Sequence, residues 1–124
     1  MIRVLVVDDQ PAIRRGLRMR LGLEDDLIVV GEAADGPAAL ALAPALRPDV
    51  ILLDVQMPGM DGIDTAEALR AAAPACAVVL LTLHGDPITR ARAEAAGVVV
   101  FVEKHEADRA LVQAIHLAAG TLRA

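Results

Sequence analysis

Aromatic side chains are almost missing from this 124-residue sequence: Trp and Tyr do not occur, and Phe101 is the only phenylalanine. A core without rings must be filled by Val, Leu, Ile and many Ala, and hydrophobic residues make up 56% of the chain. Cysteine is nearly as scarce. Cys76 stands alone, which excludes an internal disulfide and fits a reducing, cytoplasmic compartment. Its plain reading is a small semi-buried residue with no chemistry. No apolar run approaches the roughly 18 residues of a membrane span. Met1-Ile2-Arg3-Val4 leads straight into a strand pattern, so a signal peptide is not expected. Basic charge is in deficit, with 12 Lys and Arg against 17 Asp and Glu, a net charge of −5. Nucleic-acid binding rests on neutralising phosphates, so these residues are not expected to bind DNA on their own.

What is present centres on Val50-Ile51-Leu52-Leu53-Asp54-Val55-Gln56-Met57-Pro58-Gly59-Met60-Asp61-Gly62. The apolar run has the pattern of a strand buried on both faces. Asp54 closes it, at the carboxyl edge, where open parallel sheets bind ligands. Pro58, Gly59 and Gly62 are turn residues, and Asp61 is placed to cap the next helix. A loop carboxylate with a local hydrogen bond is the plainer reading of Asp54.

The rest of the chain repeats one alternation. Arg3 to Val7 is a strand ending in Asp8-Asp9. Gln10-Pro11 starts a helix through Ile13, Leu17 and Leu21, broken at Gly22. Leu27 to Ala33 is the second strand; Asp35-Gly36-Pro37 turns into a helix carrying Leu40, Leu42 and Leu46 that stops before Pro48. Asp49 to Asp54 is the third strand, Ile63 to Ala72 a helix closed by Pro74, and Ala77 to Thr82 the fourth strand. His84-Gly85-Asp86-Pro87 forms a loop, and Ile88 to Ala95 a helix ending at Gly97. Val98 to Val102 is the fifth strand, and Ala107 to Ala119 a last helix ending at Gly120.

Five strand–helix units in one domain, residues 1–124, require a parallel sheet with right-handed crossovers. The expected fold is the α/β flavodoxin-like doubly wound sandwich, strand order 2-1-3-4-5. That order gathers Asp8, Asp9, Asp54, Thr82 and the Lys104 region at one edge. Three close carboxylates repel one another, and Mg²⁺, a hard dication with oxygen ligands, resolves the conflict. Each residue also has a plainer reading: Asp8-Asp9 as a helix cap, Thr82 as a β-branched strand residue, Lys104 as a solvated charge. Their joint occurrence at strand ends favours a site.

Val6-Val7-Asp8-Asp9, the Leu53-to-Gly62 segment, Leu81-Thr82 and Phe101-Val102-Glu103-Lys104 together resemble the receiver domain of a bacterial two-component response regulator. The resemblance covers essentially the whole chain and is highly specific. It implies a signalling module rather than an enzyme, one that assists its own Mg²⁺-dependent phosphoryl transfer and dephosphorylation. Asp54 resembles the phosphoacceptor for a sensor histidine kinase. Asp8 and Asp9 resemble the acid pair that holds Mg²⁺, completed by Asp54 and the backbone carbonyl of Gln56. Lys104 resembles the lysine that pairs with phosphoryl oxygens. Thr82 resembles the switch hydroxyl, and Phe101 the aromatic that turns inward on activation, its plainer reading being an ordinary core or edge phenylalanine.

Two departures stand out. His105 follows Lys104 where many members have proline, removing the cis X-Pro bond expected there. The run Val98-Val99-Val100-Phe101-Val102 predicts a stiff, apolar edge strand prone to pairing. Leu83 is expected to narrow access to the acyl phosphate, while His84 and Gln56 read as rim residues that tune its lifetime. The segments Leu80 to Asp86 and Ala119-Gly120 resemble receivers that precede a LuxR/NarL-type helix-turn-helix domain. The expectation is therefore the receiver portion of a longer transcriptional regulator, with a possible phosphorylation-dependent homodimer and DNA contact through a domain beyond these residues. A stand-alone or unphosphorylated interaction module is the alternative. A flavin carrier on the same fold is disfavoured: Asp8-Asp9-Gln10-Pro11 would repel a phosphate, and no Trp or Tyr is available to sandwich the ring.

Overall fold

The computed structural model describes residues 1–83, 85–98, 100–104 and 107–123, with the backbone alone for 107–109 and 121–123. Strands and helices alternate as β1 (Ile2–Val7), α1 (Pro11–Leu21), β2 (Leu27–Ala33), α2 (Gly36–Leu46), β3 (Val50–Asp54), α3 (Gly62–Ala72), β4 (Ala77–Thr82), α4 (Pro87–Ala95), β5 (Val100–Glu103) and α5 (Ala107–Arg123). All four strand pairings are parallel, in the order β2-β1-β3-β4-β5. This is the expected doubly wound sandwich.

Two apolar layers flank the sheet, because alternate residues of each strand point to opposite faces. Leu5, Val7, Ile51, Leu53 and Leu80 pack with Ala39 and Ala43 of α2, Leu69 of α3 and Ala93 of α4. Val4, Val6, Leu52, Val79 and Leu81 pack on the other side with Leu21 of α1 and Leu111, Ile115 and Ala118 of α5. Every residue of β3 is buried, as a central parallel strand requires. Small alanines where helices meet the sheet let the layers approach closely without aromatic rings.

Three elements depart from the sequence expectation. In α1 only Leu21 is fully buried, and Ile13 is 36% exposed, so the apolar stripe turns to solvent at its start. The fifth strand begins at Val100 rather than Val98. Gly97 adopts φ 89 and closes α4: its N–H bonds the Glu94 carbonyl and the Val98 N–H bonds the Ala93 carbonyl, both at 3.0 Å. Val98 is therefore committed to the helix end, and the edge strand has four residues instead of a long apolar run. Finally, α5 continues through Gly120 to Arg123. Glycine weakens a helix by about 1 kcal/mol but does not stop it unless the backbone turns left-handed there. His84, Val99 and His105 lie outside the described residues.

Candidate functional site

The register of β1 on β3 ends at Val7 opposite Leu53. One residue further along both strands, Asp8 and Asp54 reach the carboxyl edge together. Both are buried, at 0% and 2% exposure, and Asp9 beside them is half-buried. A carboxylate oxygen from each of Asp8, Asp9 and Asp54 can be chosen so that all lie within 4.8 Å of one another.

The two strand-end aspartates are built alike. Asp8 Oδ1 accepts the Gln10 N–H at 2.9 Å, and Asp54 Oδ1 accepts the Gln56 N–H at 3.2 Å. Each is a side chain closing a turn on the backbone two residues ahead. This local hydrogen bond was the plain reading of Asp54, and it coexists with the cluster. Lys104, just past β5, places Nζ 3.2 Å from Asp54 Oδ1 and 3.7 Å from Asp8 Oδ2.

Charge remains unbalanced. Two like charges about 4 Å apart repel by about 4 kcal/mol at an effective dielectric of about 20. Three carboxylates face one ammonium, leaving two negative charges. Burial, chiefly, pushes the Asp8 carboxyl above its ordinary range; the Gln10 N–H and Lys104 oppose that, and Asp54 and Asp9 add to it. Asp8 Oδ2 and Asp9 Oδ1 are buried without a hydrogen-bond partner among the described residues. Buried, converging acid oxygens that accept no hydrogen bond are the donor set of a hard dication such as Mg²⁺.

The loop after Asp54 is held tightly. Val55 and Met57 are buried, the Val55 N–H reaches the Leu81 carbonyl at 2.9 Å, and the Gly62 N–H reaches the Val55 carbonyl at 2.8 Å. A side chain at Gly62 would collide with the Asp54 carbonyl, so only glycine fits. Gly59 has φ 73 and follows Pro58, the arrangement of a type II turn. Asp61 caps α3 as expected, accepting the Asp64 N–H at 2.8 Å. Gln56 itself is exposed on the rim.

Thr82 ends β4, is buried, and pairs in register with Glu103. Phe101 is half-buried, with the Arg90 guanidinium 4.7 Å from its ring centroid. Leu83 is 55% exposed beside Thr82.

Sequence reasoning missed two further arrangements. Arg14 of α1 donates from Nη1 to the Asp8 carbonyl at 2.7 Å, behind the acid cluster. Glu103 accepts the Gly85 N–H at 3.1 Å, and Arg90 Nε donates to the Gly85 carbonyl at 3.2 Å, so the loop after Thr82 is stapled to β5 and α4. Neither shows as a periodic or spacing signal. The nearest hint is a basic residue one turn into the helix that follows two acids.

Comparison with known proteins supplies the lineage. The response regulator receiver domain matches residues 4–116. The transcriptional regulatory protein YxjL of Bacillus subtilis is 40% identical over 118 residues, 95% of this chain and 54% of that protein. The transcriptional regulatory protein NarL of Mycobacterium tuberculosis is 41% identical over 114 residues, 92% of this chain and 53% of that protein. The solved signal receiver domain of Mycobacterium tuberculosis NarL superposes with a TM-score of 0.89 at 40% identity, covering 96% of each chain. The chain thus spans about half the length of the curated relatives it matches. Among the described residues no helix is long and apolar enough to cross a membrane. With its strand order, its acid-lined edge and these relatives, the chain belongs to the receiver domains of two-component response regulators.

Proposed function

We propose that this receiver is a phosphorylation switch in which Asp54 takes a phosphoryl group from a sensor histidine kinase. The observation that carries this reading is the convergence of Asp8, Asp9, Asp54 and Lys104, with two acid oxygens buried and accepting no hydrogen bond among the described residues. Asp8, Asp9, Asp54 and the backbone carbonyl of Gln56 would hold Mg²⁺. Once bound, Mg²⁺ offsets the negative charge that otherwise bars a phosphoryl donor from the site.

In the transfer a carboxylate oxygen of Asp54 attacks phosphorus, the P–N bond to the kinase histidine breaks, and the imidazole leaves with the bonding pair. Lys104 then exchanges Asp54 for a phosphoryl oxygen, keeping an ion pair throughout. Thr82 hydrogen-bonds another phosphoryl oxygen, and its shift draws the loop after β4 and Phe101 inward.

The output we propose is transcriptional. The relatives named above carry the name transcriptional regulatory protein and are nearly twice as long as the matched segment. On this reading these residues are the receiver of a longer cytoplasmic regulator, DNA contact is delegated to another domain, and phosphorylation drives homodimerisation. Sequencing the native gene past codon 124 tests this, since a basic helix-turn-helix pattern is expected there and a stop codon refutes it.

The phosphorylation itself is tested by incubating the protein with a small phosphodonor and Mg²⁺ and measuring intact mass. Wild type should gain one acid-labile phosphoryl group and Asp54→Ala none. Undiminished labelling of Asp54→Ala sinks the assignment of the acceptor.

A further inference from the structure

Nothing in the acid cluster itself explains why its backbone stays in place. Asp8 and Asp9 are consecutive, so two of the three repelling carboxylates hang from one peptide unit. Asp9 is half-buried. Helix α1 follows at Pro11, and Gln10 at its N-cap position makes no side-chain capping bond, so none steadies the turn from that side. The Asp8 N–H bonds the Ala33 carbonyl of β2 at 3.1 Å and so holds the near side of the residue; beyond it, two contacts remain. One is the Gln10 N–H on Asp8 Oδ1 at 2.9 Å. The other is Arg14, whose Nη1 donates at 2.7 Å to the Asp8 carbonyl, the oxygen of the Asp8–Asp9 peptide.

Arg14 is itself held. Its Nε pairs with Glu32 Oε1 on β2 at 3.2 Å, and Arg18, one turn further along α1, pairs with Glu32 Oε2 at 2.8 Å. The Arg14 side chain is only 17% exposed, unlike Arg18 at 51%. A guanidinium donates along fixed directions, so anchoring Nε on Glu32 also aims Nη1 at the carbonyl.

We infer that Arg14, aimed by Glu32, is a positioning residue for the divalent-cation site: it fixes the peptide that carries Asp8 and Asp9 so that both carboxylates keep facing Asp54. This rests on the reading of those aspartates as Mg²⁺ ligands. Arg14 touches none of the ligand oxygens described here. It acts through the backbone, as partners behind metal ligands do, and loss of such partners costs about ten- to a hundredfold in metal affinity.

The sign of the effect separates this role from a simple charge effect. Arg14 is a cation close to an acidic metal site. If it acted by charge alone, its removal would tighten Mg²⁺ binding. As a positioning residue, its removal loosens binding. A purely structural role would lower the melting temperature and leave the affinity for Mg²⁺ unchanged.

The experiment is calorimetric titration of the 124-residue protein with Mg²⁺, comparing wild type with Arg14→Met, Arg14→Lys and Glu32→Met. Arg14→Met keeps the aliphatic packing and should raise the Kd about tenfold. Arg14→Lys keeps the charge but cannot bridge Glu32 and the carbonyl as a fork, and should fall between. Glu32→Met lies on another strand and should raise the Kd severalfold. If Arg14→Met does not fold, Arg14→Lys and Glu32→Met decide the matter by the same criterion. Unchanged or tighter binding in the folded variants overturns the inference. Failure of wild type itself to bind Mg²⁺ overturns the underlying reading of the aspartates, and this inference with it.

Discussion

Lys104 Nζ lies 3.2 Å from Asp54 Oδ1, joining the end of β5 to the end of the strand two places away in the sheet. The same ammonium is 3.7 Å from Asp8 Oδ2. One lysine thus restrains two of the three acids. Removing one partner from a buried charge pair is costly because the other is left uncompensated.

Lys104→Ala should therefore melt several degrees below wild type without metal. Millimolar Mg²⁺ should recover more of that loss than it adds to wild type, since metal then replaces the missing cation. The variant should also lose most of its phosphorylation-linked response. Equal Mg²⁺-induced shifts in the two proteins would show that Lys104 does not share the load of the acid cluster.

Asp8 gives the site a pH signature. Burial raises its folded-state pKa above the unfolded value, so between those two values the folded state binds the extra proton. Stability from this group falls as pH rises through that window, and the penalty is fully present above the folded pKa. Asp8→Asn should accordingly melt several degrees higher than wild type at neutral pH without metal, with the gap closing as pH falls toward 3.8. Millimolar Mg²⁺ should reverse the order at neutral pH if, as proposed, Asp8 is one of its ligands. Thermal melts across pH, with and without Mg²⁺, read both effects; a gap that does not change with pH would refute the electrostatic account.

The meeting of Asp8, Asp9, Asp54 and Lys104 was legible because a charge that closes an apolar strand has one place to go, and connection rules fix the strand order. Local chemistry was legible too: Asp61 caps α3 and Gly97 closes α4 as their residue types suggest. What escaped depends on contacts between elements distant in sequence. Arg14 reads as an ordinary helix cation until Glu32, 18 residues on, is placed beside it. Glu103 reads as a strand-end charge until the Gly85 N–H meets it. The late start of β5 has a similar origin, since Val98 carries a strand signal that the end of α4 overrides. Gly120 misled in the opposite direction, because glycine ends helices only where the chain turns left-handed.

Thr82 is buried at the end of β4, next to a loop pinned by Glu103 and Arg90. On the proposed switch, this hydroxyl reports the phosphoryl group by moving that loop. Thr82→Ala should accept a phosphoryl group to the wild-type level by intact mass. It should fail to change its hydrodynamic size or its amide exchange in the loop before α4. A wild-type response from Thr82→Ala would show that the switch does not run through this hydroxyl.

Asp61 links the site loop to two helices. Its Oδ1 accepts the Asp64 N–H at 2.8 Å at the start of α3, and its Oδ2 meets Arg92 Nη2 of α4 at 3.2 Å. Burial pushes its carboxyl up, but the Asp64 N–H and Arg92 outweigh that and leave it below the ordinary carboxylate range. The unfolded state then binds the proton more readily than the folded one. The stability that Asp61 contributes is present above the unfolded pKa and is lost as pH falls through the folded pKa. Losing an N-cap costs about 1 kcal/mol, which for a domain of this size is roughly 4 °C in Tm. Asp61→Ala should show that loss at neutral pH, and Asp61→Asn a smaller one, because an amide oxygen still caps the helix while the charge facing Arg92 is gone. Arg92→Ala should cost less than Asp61→Ala, since its side chain is 49% exposed and exposed pairs contribute little. The gap between wild type and Asp61→Ala should shrink as pH falls below 3.8. A gap of constant size down to the acid unfolding limit would mean that the carboxylate charge plays no part in holding α3 to α4.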